Sequence, residues 1–398
     1  MNFALRVKML KPSPTLSISA KANALKAEGR DIIGFGAGEP DFDTPEHIKE
    51  AAIAAIKAGF TKYTAVAGID ELKDAIIQKL QKENGLSYKR AEIVVSSGAK
   101  HSLYNIAQVL FEKGDEVIIP GPYWVSYTDI VQLAEATPVI IETGEESGFK
   151  VSPDDLEKAM TKRTKAVIFN SPCNPTGATY SESEIRALAE VIASRDVIVI
   201  SDDIYEKILY DDQIFFNMAN VDEELKRKTI VVNGVSKTYA MTGWRIGYAA
   251  GSQDIMSQVA NIQSQNTSNA TSISQKASVA ALMGKQDEVF IMVEEFRKRR
   301  DYIVSRLNAI EGVRCSKPAG SFYVFPNLSG FYGRRSFMGK KVSGSDSITE
   351  YLLEEANVAV VPGAAFGDDR HVRISYATSM ANIEKGMNRI ADALAKLD

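Results

Sequence analysis

Apolar positions along the chain follow two periods. Short β-branched runs recur at Glu92–Val95, Glu116–Ile119, Pro138–Ile141, Lys165–Phe169, Asp196–Ile200, Thr229–Val232 and Ile246–Ala249. Runs of this length, apolar at nearly every position, predict strands buried on both faces of a mostly parallel sheet. Amphipathic stretches lie between several of them. Ala99–Lys113 carries a helical stripe of Leu103, Ile106, Ala107 and Leu110. Ser181-Glu182-Ser183-Glu184 reads as a capping box, and Ser152-Pro153 as an N-cap followed by proline at the first helical position. Glu288–Leu307 predicts one long helix, and its charge run Glu294–Arg300 predicts a solvated face with i,i+4 pairs. Beyond it the pattern changes. Ser321–Phe325, Val358–Val361 and His371–Ser375 read as strands among helices Ser347–Glu355 and Ala381–Leu397, with Arg334–Asp346 as a mobile surface loop. The expected fold is therefore α/β: a mostly parallel central sheet with helices on both faces, plus a smaller α+β domain.

Composition narrows the partners. The 398 residues are 45% hydrophobic and 25% charged, which excludes a disordered or collagen-like chain. With 47 basic against 51 acidic residues and a net charge of −4, nothing favours nucleic acid or a membrane surface as partner. Cys173 and Cys315 form no C-x-x-C pair, and His47, His101 and His371 lack metal-ligand spacing, so no metal is expected. No apolar leader opens the chain and no run is long enough to span a bilayer, which predicts a cytoplasmic protein.

In open α/β sheets, ligands bind outside the carboxyl ends of the strands. Four polar groups directly follow predicted strands: Ser96–Lys100, Asn170–Gly177, Ser201–Tyr205 and Asn233–Lys237, the last trailed by Arg245. Gly98-Ala99-Lys100 at a helix start suits a phosphate, although alone it is equally a tight turn. Asp202 alone is equally a helix cap. A lysine in a crevice, its pKa lowered by burial and neighbouring cations, forms Schiff bases with aldehydes, and Lys237 holds that place. In a parallel sheet all four groups meet at one edge.

The run Gly234-Val235-Ser236-Lys237-Thr238-Tyr239-Ala240-Met241-Thr242-Gly243-Trp244-Arg245-Ile246-Gly247 resembles, at every fixed position, the cofactor-attachment motif of class I pyridoxal-phosphate-dependent aminotransferases. The likeness extends from about Gly36 to Tyr376. It takes in Gly38–Phe42, Lys62-Tyr63, Trp124, Asn174–Gly177, Asp202–Tyr205 and Arg373–Tyr376. Within that family the chain is most similar to the bacterial aspartate aminotransferases of the thermophile-type subgroup.

The resemblance implies a fold type I architecture, with residues 46–290 as the large cofactor-binding domain and 1–45 with 291–398 as the small one. It implies pyridoxal 5′-phosphate as cofactor, amino acid and 2-oxo acid substrates, and a homodimer with shared active sites. Lys237 would hold the cofactor covalently and then carry the substrate's proton. Asp202 would pair with the pyridine nitrogen, and Tyr205 and Asn174 with the phenolic oxygen. Arg245 and the backbone at Gly98, Ala99 and Lys100 would hold the phosphate, Trp124 would stack on the ring, and Tyr63 would reach the partner's phosphate. Arg373 would clamp the α-carboxylate beside Gly38. Two departures from relatives stand out. Gln263–Thr267 lacks the arginine that animal-type enzymes use for the distal carboxylate; the subgroup with a lysine just after the phosphate-binding turn uses that lysine instead, and the resemblance puts Lys100 in that place. Gly234 replaces a serine, leaving Ser236 as the substitute hydroxyl toward the phosphate. The resemblance also implies a cis Asn174-Pro175 bond. The expected activity is transfer from aspartate to 2-oxoglutarate by a ping-pong scheme. Aromatic, alanine or prephenate specificity, a carbon–sulfur lyase and a non-catalytic regulator module are the alternatives.

Overall fold

The structure is a computed structural model that describes residues 2–10, 14–336 and 339–398. Its strands, in chain order, are β1 (Ile33–Gly34), β2 (Ile93–Ser96), β3 (Glu116–Pro120), β4 (Thr137–Ile141), β5 (Thr164–Asn170) and β6 (Ile198–Asp202). They continue as β7 (Thr229–Gly234), β8 (Gly247–Ala250), β9 (Tyr323–Val324), β10 (Val358–Ala359), β11 (Val361–Pro362) and β12 (Val372–Ser375). Seven of them form the central sheet in the order β2-β8-β7-β6-β5-β3-β4. Only β8 runs against the others, pairing antiparallel with both β2 and β7. The β-branched runs are buried because helices cover both faces of this sheet.

All seven predicted strands of the central sheet are present. Their ends differ in a way that matters: β6 continues to Asp202 and β7 to Gly234, so the sheet itself carries these positions to its carboxyl edge. The predicted caps are made as well. Ser181 Oγ accepts from the Glu184 amide, and Ser152 Oγ from that of Asp155. Helices that the apolar pattern did not single out, among them Glu46–Lys57, Asp70–Asn84, Ser126–Leu133, Gln253–Asn266 and Ser272–Met283, add to these layers, while Pro14–Ala27 packs through Ala22 on Ile32, Leu353 and Ala359.

The second core gathers Phe296, Phe322, Ile348, Leu352, Val358, Ile374, Ile383 and Met387. Phe35 joins it from the N-terminal part of the chain, and Ile204, Tyr205 and Ile208 from the turn after β6. Three expectations need correction here. The single strand over Val358–Val361 is two strands in different sheets, since β10 pairs with β1 while β11 pairs with β12. The predicted loop Arg334–Asp346 is tied down: the Gly333 amide donates to the Val342 carbonyl, the Val342 amide to the Arg334 carbonyl, and the Ser345 amide to Asp369. Phe337 and Met338 of that stretch lie outside the described residues. The charge run on the helix Asp287–Asn308 is solvated only in part. Glu294 pairs with Arg297 in water, but Arg299 is buried against Asp41, and the fully buried Arg300 grips Asp211 through both Nη atoms at 2.7 and 2.9 Å. Both arginines face the second core, where a guanidinium needs a carboxylate.

Candidate active site

The carboxyl ends of β2, β5, β6 and β7 open into a cavity of about 380 Å³. It is closed on the far side by Gly38, Tyr323 and Arg373. Of the residues expected from the sequence, Gly38, Ala99, Lys100, Trp124, Asn174, Asp202, Tyr205, Ser236, Lys237, Arg245 and Arg373 all line it. Two do not. Gly98 lies directly behind Arg245, and Tyr63 stands outside the cavity, 91% exposed.

At the helix start, Gly98 has φ +96°, and a Cβ there would sit 2.3 Å from Arg245 Nη2. Only glycine both adopts that backbone and leaves room for the arginine. Gly247 has a matching role, because a Cβ on it would lie 2.2 Å from the Ala99 amide nitrogen. The close approach of β8 brings Arg245 to the positive end of the helix Ala99–Leu110, a place prepared for an anion. Gly234 is explained by the same crowding. A Cβ there would lie 2.8 Å from the Ile246 carbonyl, so this backbone has no room for a serine.

Asp202 is 3% exposed. Its Oδ2 accepts from the Tyr127 hydroxyl at 2.6 Å, while its Oδ1 is buried with no hydrogen-bond partner. An orphaned carboxylate oxygen is costly to bury and calls for a donor from a ligand. Burial raises the Asp202 carboxyl to about 6, against the lowering effect of Tyr127, the Ile204 amide and Lys237.

Lys237 Nζ donates to the Gly38 carbonyl and lies 6.0 Å from the centre of the Tyr205 ring. Withdrawal from water pulls its amine down to about 8. Glu39 opposes that shift, and Arg245 and Arg373 add to it. Asn174 follows β5 and precedes a cis proline bond, as the resemblance implied; Gly121-Pro122 and Ser171-Pro172 are cis as well. The Asn174 amide nitrogen is held by Asn170 Oδ1 at 2.8 Å, and its Oδ1 accepts from Arg373 Nη1 at 3.0 Å. Arg373 Nη2 donates to the Gly36 carbonyl at 2.7 Å, and its guanidinium stacks 4.5 Å from the Tyr323 ring. Lys100 is exposed at the mouth, its Nζ 4.8 Å from the Trp124 ring centre.

Sequence reasoning missed two tyrosines. Tyr127 sits one helical turn after Trp124, meets it edge-on at 5.4 Å, and fixes Asp202. Tyr323 shares a 2.8 Å hydrogen bond with Tyr205 within the second core, tying β9 to the turn after β6. Alternation along Ser321–Phe325 puts residue 323 opposite 322 and 324, which was the one available signal. His101 is not in the cavity. It is turned back onto the Ser97 amide and Asn266.

A cavity with four cations, an orphaned carboxylate acceptor and a low-pKa amine fits the groups of a phosphorylated pyridine aldehyde. The comparisons agree with that geometry. The family model described as aminotransferase class I and II matches residues 30–390. The aspartate/prephenate aminotransferase of Nitrosomonas europaea is 51% identical over 397 residues, covering 99% of this chain and 100% of that protein. The crystal structure of the aspartate aminotransferase from Rhizobium meliloti matches with a TM-score of 0.97 at 49% identity, covering 100% of both chains. That of the Thermus thermophilus aspartate aminotransferase with maleate matches with a TM-score of 0.93 at 41% identity, over 99% of this chain and 100% of that one. With the model matched over nearly its whole length, this chain belongs to the class I and II aminotransferases.

Proposed function

We propose that the protein is an aspartate aminotransferase, moving the amino group of L-aspartate to 2-oxoglutarate in two half-reactions, with pyridoxal 5′-phosphate as cofactor. The observation that carries this reading is the meeting of Lys237 and the orphaned Asp202 oxygen in one cavity with Lys100, Arg245 and Arg373. Three further cations match one phosphate and the two carboxylates of a dicarboxylic amino acid.

Lys237 Nζ would hold the cofactor covalently, and its amine is the group placed to take a proton from the substrate α-carbon and to return it as an acid. When bound, the cofactor supplies an electron sink for the charge left by that proton. Asp202 Oδ1, unpartnered and buried, would accept from the cofactor's ring nitrogen, with Tyr127 holding the carboxylate in place. Tyr205 and Asn174 donate toward the phenolic oxygen. Arg245, Ser236 and the amides of Ala99 and Lys100 would hold the phosphate, and Trp124 would cover the ring face; the Gly98 amide is taken up by the Ser96 carbonyl. Arg373 takes the α-carboxylate in a bidentate grip beside Gly38. Lys100 takes the distal carboxylate. The exposure of Tyr63 supports its place in a partner's site, and so a homodimer in which residues 46–290 form the large domain and both chain ends the small one. The free Cys173 and Cys315 suit a reducing cytoplasm. Among the described residues no helix is long and apolar enough to cross a membrane.

The name of the Nitrosomonas relative favours a second reading, in which prephenate-type acceptors are also used. Amino-donor profiling of the purified enzyme separates the two. Aspartate is expected to bleach the visible cofactor band and to rank first. Lys100→Ala is expected to lower kcat/KM for aspartate at least tenfold while sparing phenylalanine. Unchanged aspartate kinetics with dominant aromatic turnover would overturn the assignment.

The depressed Lys237 pKa has its own signature. Only a neutral amine attacks an aldehyde. An amine titrating at about 8 rather than 10.5 is half neutral at pH 8. Uptake of pyridoxal phosphate by the cofactor-free protein is therefore expected to accelerate with pH and level off above about 8. A rate still rising tenfold per unit between pH 9 and 10, read from absorbance growth, would contradict it.

A further inference from the structure

A second cluster of charges lies beneath the cavity and touches none of it. Lys79, on the helix Asp70–Asn84, is 7% exposed, Glu206 is 6% exposed and Asn233 is 2% exposed. Lys79 Nζ donates to Glu206 Oε1, and to Asn84 Oδ1 at 2.7 Å. Asn233 Nδ2 donates to the same Glu206 Oε1 at 2.8 Å, and Asn84 Nδ2 to Oε2 at 2.8 Å. The Asn233 side-chain oxygen accepts from the Gly234 amide at 2.7 Å.

The placement of these residues in the chain is informative. Glu206 directly follows Tyr205 and lies four positions after Asp202; Asn233 lies four positions before Lys237. A 2.8 Å side-chain bond therefore joins the turn after β6 to the end of β7, beside the 2.9 Å bond from the Asp203 amide to the Val232 carbonyl, and each segment carries one half of the cavity's chemistry. Burying an ion pair brings little net stability, and apolar filling of the same volume is often as good. What apolar packing lacks is direction. A hydrogen bond between fixed backbones constrains distance and angle together.

We propose that Lys79, Glu206 and Asn233 form a positioning network that sets Lys237 against Asp202. In this network Asn233 and Glu206 are the positioning residues, and Lys79 holds the Glu206 carboxylate in register. The inference rests on the aminotransferase reading of Lys237 and Asp202. Asp203 is anchored separately, by Ser201 Oγ at 2.6 Å and Asn217 Nδ2 at 2.8 Å, so the carboxylate next to Asp202 is not a rival acceptor for Asn233.

The test uses the holoenzyme, with aspartate turnover and the pH midpoint of its visible absorbance as readouts. Asn233→Ala is expected to lower kcat about tenfold or more, leave KM within twofold, and move the absorbance midpoint by at least half a pH unit. Two double variants remove the ion pair without leaving a charge unpaired. Lys79→Met/Glu206→Gln keeps an acceptor for Asn233 and is expected to keep at least a third of wild-type kcat with the midpoint in place. Lys79→Met/Glu206→Leu removes the acceptor and is expected to reproduce the Asn233→Ala defect. Equal kcat and equal midpoints in the two double variants would overturn the proposal, even where Asn233→Ala fails to fold. A wild-type protein that showed no visible band would instead refute the cofactor reading.

Discussion

Lys237→Ala is expected to lower aspartate turnover by roughly 10⁴-fold or more, because one amine serves as both attachment point and proton carrier. No neighbour replaces it. Lys100 stands at the mouth over Trp124, and the other two cations lining the cavity, Arg245 and Arg373, carry guanidinium groups rather than an amine. The same substitution is expected to leave the cofactor-free protein at least as stable as wild type at pH 7. Displacement of the amine from 10.5 to about 8 corresponds to ~3 kcal/mol against its charged form in the fold. A folded pKa below the unfolded one means the penalty is full below pH 8 and fades as the pH rises toward 10.5. Single-turnover kinetics with aspartate, together with thermal melts at pH 7 and pH 10, check both halves. Retained turnover would refute the mechanism, and a marked loss of stability at pH 7 would refute the burial argument.

Arg373→Lys is the second large effect, expected to cut kcat/KM by roughly 10²–10³-fold, the equivalent of a few kcal/mol for disturbing a buried charge-assisted contact. The guanidinium is 2% exposed, held by Asn174 and the Gly36 carbonyl, and flanked by the Tyr323 and Phe366 rings. An ammonium fits neither the fork geometry nor the stacking. Because every amino acid carries the α-carboxylate, the loss is expected to be equal for aspartate, glutamate and phenylalanine. The Lys100→Ala defect, in contrast, is confined to dicarboxylates. A loss at Arg373 limited to dicarboxylates would exchange the two assignments.

Much of this site was legible because strand ends are legible. Val and Ile runs stop where polar residues begin, and in a parallel sheet those stops fall on one edge. That reasoning located Asp202, Asn174 and Lys237 without any side-chain geometry, and the motif around Lys237 supplied their chemistry. Partners brought in by packing were not legible. Tyr127 reads as an ordinary core tyrosine until it is found on Asp202. Lys79 and Glu206 are 127 positions apart, and no period of the chain connects them. Arg300 illustrates the same limit from the other side. Inside a run of alternating charges it looks solvated, yet the helix turns it fully inward onto Asp211. Periodicity gives a face; only the tertiary fold says what that face meets.

The strip Gly36–Gly38 has a final consequence. Its carbonyls receive Arg373 and Lys237, the two cations that the reaction needs free for other partners. Both are thus parked on neutral oxygens. A hydrogen bond from a cation to a neutral carbonyl is worth roughly 1.5–3 kcal/mol, and a carboxylate would add the attraction of opposite full charges to it. A carboxylate in the strip would act as a built-in inhibitor, competing with every incoming substrate. Main-chain oxygens keep the cations oriented and release them cheaply. Because that hold is written in the path of the chain, a substitution at the exposed Ala37 leaves it intact, whereas a side chain at Gly38 would press on the Tyr323 hydroxyl 3.0 Å away.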